Sequence, residues 1–113
     1  MKEIKAYIQK RKLSQVTLAL HKVEGLSGMS VTKGQGFGRG KAQGMPHRIV
    51  DDLVEYVPHV RIEIVCEDDQ VEEIVNVIET AAHTGNKGDG KIYVGNVEQA
   101  VRIRTGERGT NAA

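Results

Sequence analysis

Between Glu3 and Gln9 apolar and polar residues alternate, with Ile4, Ala6 and Ile8 on one side and Lys5, Tyr7 and Gln9 on the other. A period of two is that of a strand with one face buried. Beyond the basic Lys10-Arg11-Lys12 the period lengthens: Val16, Leu20 and Val23 recur at helical spacing, Ser14 is placed to cap the helix and Gly25 to stop it. A second strand is expected near Met29 and Val31, running into Gly34. From Val57 to Cys66, Val60, Ile62 and Ile64 alternate with Arg61, Glu63 and Val65, and Pro58 suits a strand entrance. Asp69 followed by Glu72 reads as a capping-box variant, and Val71, Ile74, Val75 and Ile78 form the apolar stripe of a helix from about Asp69 to Ala82. Lys91 to Val94 is then a short strand, and Gln99 to Arg104 a further extended segment.

The order strand, helix, strand, strand, helix, strand predicts an α+β fold of ferredoxin-like βαββαβ type, an antiparallel sheet with two helices on one face. A sheet rich in aliphatic residues and uncovered on its other face is expected to bury that face against further copies of itself. At 113 residues the chain forms one domain, residues 1–113. The glycines from Gly34 to Gly40 remove any firm preference for strand or helix. The loop expected at about 38–54, roughly 17 residues, is longer than compact domains usually leave unstructured and reads as functional or as ordered by a ligand. The polar tail from about Thr105 is expected to be mobile.

Composition narrows the function classes. A formal charge of +1, with charged residues making up 27% of the chain, argues against a dedicated nucleic-acid binder. Cys66 is the only cysteine, so there is no disulfide framework and no Cys-based zinc quartet. No stretch approaches the roughly 20 apolar residues that span a bilayer, and the chain is expected to be cytoplasmic without direct membrane insertion. His21, His47, His59 and His83 share no ligand-like spacing, so no metal site is expected.

Gly85-Asn86-Lys87-Gly88-Asp89-Gly90-Lys91 satisfies the phosphate-loop pattern G-x-x-x-x-G-K, but Ile92 stands where Ser or Thr would hold magnesium. The turn also follows a helix instead of opening one. Two readings remain: a glycine cradle whose N–H groups approach an anion beside Lys87 or Lys91, or a plain polar turn. Arg102 and Arg104, two apart in a segment read as extended, are placed on one strand face, to bind phosphate or to pair with surface carboxylates. No catalytic Ser-His-Asp or Cys-His pairing is identifiable, and the chain is not expected to be an enzyme.

Together, Gly36-Phe37-Gly38-Arg39, the run Val60 to Val65, Thr84-Gly85 with Gly88-Asp89-Gly90-Lys91-Ile92, and Arg102-Ile103-Arg104-Thr105-Gly106-Glu107 resemble the PII nitrogen-regulatory family over nearly the whole chain. The resemblance implies a homotrimer of ferredoxin-like subunits with ATP or ADP in inter-subunit clefts. It also implies a T-loop, about 38–54 here, that docks onto a membrane transporter or metabolic enzyme. Ser30, Glu63 and Val65 fall where the family contacts adenine, and Gly36, Gly38 and Arg39 at the loop base near the phosphates. Lys87, Gly88, Asp89, Gly90 and Lys91 fall in the B-loop, about 84–91, and Arg102 and Arg104 match a basic pair supplied by the neighbouring subunit.

The departures are specific. Gly40 stands where the family carries a glutamine that helps hold Mg2+ and 2-oxoglutarate, which weakens any magnesium site. His59 replaces a lysine that pairs with the 2-oxoglutarate carboxylate, and Asn86 a B-loop lysine. Asp51 and Asp52 occupy the region where bacterial members often carry a uridylylated tyrosine. The expectation is an atypical PII-like paralogue responding to ATP, ADP or AMP, with 2-oxoglutarate response and uridylylation disfavoured. The alternatives are a nucleotide-independent interaction module and a sensor of another small anion such as bicarbonate.

Overall fold

The structure, a computed structural model, describes residues 1–36 and 57–113. The long loop expected at about 38–54 lies outside the described residues. Strand β1 (Lys2–Gln9) passes through a 3-10 turn (Lys10–Lys12) into helix α1 (Leu13–His21), followed by β2 (Ser30–Gly36). Strand β3 (Val57–Cys66), a 3-10 turn (Asp68–Gln70), helix α2 (Val71–Ala82), β4 (Lys91–Asn96) and a final 3-10 turn (Thr110–Ala112) complete the order.

The sheet runs β2-β3-β1-β4 and every adjacent pair is antiparallel. β3 inserts between β1 and β2, the split βαβ arrangement of the ferredoxin-like fold. Ile4, Ala6 and Ile8 of β1 and Val60, Ile62 and Ile64 of β3 point to one side, where they meet Val16 and Leu20 of α1 and Ile74 and Ile78 of α2. All of these side chains are essentially inaccessible. The period-two and period-3.6 stripes therefore bury each other, and both helices lie on one face.

Four local expectations are corrected. Ser14 does not cap α1: the chain turns directly out of β1, Lys12 occupies the cap position without a side-chain bond, and Ser14 falls inside the first helical turn. The helix ends at His21, with the Lys22 N–H returning to the carbonyls of Ala19 and Leu20, so Gly25, at φ +79°, shapes the connection beyond it. At α2 the capping box is Glu67 with Gln70, two residues before the expected pair. The Gln70 side chain accepts the Glu67 N–H at 3.1 Å.

The fourth correction concerns the segment from Gln99 to Arg104, which is not a strand. Val101 bridges to Arg108, the Arg102 N–H donates to Glu107 O at 2.9 Å, and the Gly106 N–H to Arg102 O at 2.7 Å. Gly106, at φ +77°, allows this tight reversal. Arg102 and Arg104 thus sit on a hairpin-like turn and not on one face of a strand.

The uncovered sheet face also differs from the expectation that it would be aliphatic. It carries Glu3, Lys5, Tyr7 and Gln9 beside His59, Arg61, Glu63 and Val65 in cross-strand register. The Tyr7 ring meets His59 at 5.7 Å and Tyr93 edge-on at 5.9 Å. Arg61 Nε lies 2.7 Å from Glu63 Oε1, yet its N–H points away from any acceptor among the described residues. Alternation is the cause: apart from Val65, the aliphatic residues of β1 and of residues 60–66 in β3 that make the sheet look apolar in sequence face the helices.

Candidate functional site

The residues singled out from the sequence separate into two clusters. The first is at the Cys66 end of β3, on the uncovered face. Ser30 is the cross-strand partner of Glu63, and Val65 that of Glu3. With Met29 and Arg102 these four line a cavity of about 540 Å3. Arg102 reaches it from the C-terminal turn, held by a donation from its Nη2 to Asn111 O at 3.0 Å and by Glu107 Oε1 3.5 Å from its Nη1. Pairing with a carboxylate, one of the two readings of this arginine, is therefore present without removing it from the cavity wall. Arg104 lies two residues further round the turn, exposed, and lines neither this cavity nor the second one described below. Glu3 and Met29 were not singled out from the sequence; the signal for Glu3 was its place opposite the buried stripe of β1.

The second cluster is the loop after α2. The helix ends at Ala82, so the loop receives no helix N-terminus and its anion-binding capacity rests on its own amides and lysines. Its shape comes from Asp89, whose carboxylate accepts the Thr84 N–H at 2.8 Å, the Gly85 N–H at 2.9 Å and a short bond from the Thr84 hydroxyl. The Thr84 hydroxyl bond, followed by the Thr84 and Gly85 N–H groups, holds the Asp89 carboxyl down to about 2. His83 Nδ1 lies 3.8 Å from the same carboxylate. The sequence named Thr84 and His83 but not their contact with Asp89, because that partner is five or six residues away.

Gly85, Gly88 and Gly90 all take positive φ, but Gly90 is the one with no room. At φ +102°, a Cβ there would stand 1.7 Å from the carbonyl oxygen of Tyr7. The loop thus returns into β4 in direct contact with β1, which sets Lys91 opposite Tyr7 in the ladder. Asp89, Gly90 and Lys91 border a second cavity of about 390 Å3, whose wall on the helix side includes Ile78 and Glu79 of α2.

These clusters do not meet on one chain. The first cavity is lined by Glu3 and the second by Tyr7, four residues or roughly 13 Å further along β1, and no residue lines both; Tyr7 and Lys91 border the second from the bare face and α2 from the helix side. Gly36 ends β2, paired with Val57, at the edge of the described residues. Gly38 and Arg39 lie outside them, as do Gly40, Asp51 and Asp52. Among the described residues no three His, Cys, Asp or Glu side chains converge on a metal-sized site. Cys66 is buried, and that burial pushes its thiol up.

Comparison with known proteins matches the sequence to one family. The family model described as nitrogen regulatory protein P-II matches residues 1–107. A nitrogen regulatory protein P-II of Azospirillum brasilense is 49% identical over 112 residues, covering 99% of both chains. Proteins of the same description from Bradyrhizobium diazoefficiens, at 49%, and Microchaete diplosiphon, at 46%, align over the same 99% of each chain. With the family model matched over residues 1–107 and relatives aligned over nearly the whole chain, the chain belongs to the nitrogen regulatory protein P-II family, whose members are signal-transducing regulators and not enzymes.

Proposed function

We propose that this chain is a P-II regulator that binds ATP or ADP in clefts between copies of itself and passes the result to a transporter or metabolic enzyme through the segment at about 38–54. The observation that carries the reading is the separation of the two clusters. Each is half of a nucleotide site. The loop 84–91 offers backbone N–H groups with Lys87 and Lys91, while Ser30, Glu63, Val65 and Arg102 form a wall with polar edges, an apolar floor and a guanidinium. Since the two lie toward opposite ends of β1 within one chain, a second copy is needed to bring one half against the other, and a closed ring of three satisfies every half.

Magnesium fits this loop poorly. Asp89 has both carboxylate oxygens committed to Thr84 and Gly85, so neutralising the phosphate charge falls to Lys87 and Lys91. His59 lies against Tyr7 and would meet Gly34 if that residue had a side chain, a crowded place for an imidazole to serve as a carboxylate partner in place of a lysine. The reading therefore keeps adenylate sensing and disfavours a 2-oxoglutarate response. No helix among the described residues is long and apolar enough to cross a membrane.

Calorimetric titration with ATP, ADP and AMP, each with and without 2-oxoglutarate and bicarbonate, tests the proposal. The expected result is ATP or ADP binding on the order of 10 μM, equivalent to about 7 kcal/mol, by an assembly of three chains in sedimentation. Absence of heat with every nucleotide overturns it.

A further inference from the structure

A third group of side chains lies beside the loop 84–91. Gln9 ends β1, and its amide nitrogen is 3.5 Å from where a Cβ on Gly88 would stand. Its amide oxygen accepts a hydrogen bond from Arg11 Nε at 2.8 Å. Arg11, Gln9 and Gly88 therefore form a physical chain, and the guanidinium is tethered next to the loop instead of sweeping through solvent. An arginine carries five N–H donors in one plane. The bond to Gln9 uses Nε alone, and the four donors on the two terminal nitrogens have no acceptor among the described residues.

The charges around it point one way. Lys87 precedes Gly88, Lys91 sits opposite Tyr7 two residues before Gln9, and Lys10 is exposed beside Arg11. Lys12 is turned aside, donating to Gln15 at 3.0 Å. The carboxylates nearby are Asp89, held by Thr84 and Gly85, and Glu79, which belongs to the cavity on the helix side. The result is a cationic rim of Arg11, Lys87 and Lys91 around a glycine loop, with its one well-positioned fork unused among the described residues.

We infer that Arg11, positioned by Gln9, is an anion-binding residue of this site that engages the far end of a polyphosphate chain, so that the cleft favours three phosphates over one. This rests on the proposal that the loop 84–91 receives a nucleotide. A planar fork held at its Nε presents two parallel N–H groups, which suits a terminal phosphate bearing two charges. AMP, whose single phosphate is attached near the sugar, does not extend to it.

The test is calorimetry on the full chain, wild type and the variants Arg11→Gln and Arg11→Lys, with ATP, AMP and inorganic tripolyphosphate as probes. Arg11→Gln is expected to weaken ATP and tripolyphosphate about tenfold, the size of a lost charge-assisted contact, and to leave AMP within about twofold. Arg11→Lys, which keeps the charge but loses the tether to Gln9, is expected to fall between. Arg11 is exposed, so equal melting temperatures are expected for the three proteins, and Arg11→Lys is the reference if Arg11→Gln melts lower. Unchanged ATP and tripolyphosphate affinity in Arg11→Gln, or an equal loss for ATP and AMP, overturns the inference. Arg11-dependent tripolyphosphate binding without binding of any adenine nucleotide upholds it and overturns the nucleotide reading, whereas a wild type that binds none of the probes overturns both.

Discussion

The helix-covered core and the loop 84–91 are held by opposite means. The core is built from interchangeable parts: aliphatic side chains from β1, β3, α1 and α2, all inaccessible, whose stabilisation scales with area and volume. The loop has almost no apolar content and is fixed by residues that cannot be exchanged, Gly90 because of the Tyr7 carbonyl and Asp89 because of Thr84 and Gly85. Damage to the core should therefore appear as lost stability, and damage to the loop as lost ligand recognition in a chain that still folds.

The sharpest way to break the core is Ile62→Ala, at the centre of β3. A cost of roughly 2–5 kcal/mol is expected, as for other buried Ile truncations, seen as a lower midpoint in urea unfolding. Gly90→Ala should follow, at roughly 1–3 kcal/mol for a side chain forced into a left-handed conformation, with a further loss from the collision with Tyr7. Nucleotide affinity in that variant should fall more than tenfold, because the displaced backbone is the one that carries the loop N–H groups. Affinity retained in Gly90→Ala would mean that the loop is not a ligand cradle.

Asp89→Asn sharpens the contrast further. It keeps the size of the side chain but replaces a charged acceptor of two N–H groups by a neutral one, and is expected to lower nucleotide affinity roughly tenfold with a smaller drop in unfolding midpoint than either preceding variant. The same carboxylate sets a pH dependence. Its value in the folded chain, about 2, lies below the ordinary carboxylate range, so its contribution is fully present above about pH 4 and is lost as pH falls through 2. Thr84 and Gly85 amide resonances followed between pH 5 and 2 should shift late, near the lower limit. A midpoint at the ordinary value of about 4 would show that the latch is not formed. The smallest effect belongs to Leu18, 67% exposed on α1: Leu18→Ala should alter stability by less than about 0.5 kcal/mol.

Much of this was legible in the sequence because periodicity reports which side of an element is buried. The strand from Val57 to Cys66 and the apolar stripe of α2 stand as read from the sequence. Boundaries were less legible because caps depend on where the chain enters a helix, and that is set by the preceding turn. Gln70 closes the capping box of α2 from a position with no helical pattern, and Ser14, a good cap by type, lies two residues past the cap position. Alternation also misled about Arg102 and Arg104, because Gly106 reverses the chain before a strand can form.

The sequence by itself determined the element order, the antiparallel sheet with two helices on one face, and the glycines and lysines of the loop, since each follows from local spacing or residue type. Tertiary structure alone decided that Asp89 closes that loop, that Gly90 touches β1, that Gln9 tethers Arg11 beside it, and that the uncovered face is polar. It also decided that the two halves of the candidate site lie toward opposite ends of β1. These are through-space relations among groups whose separation along the chain carries no record of their distance in the fold.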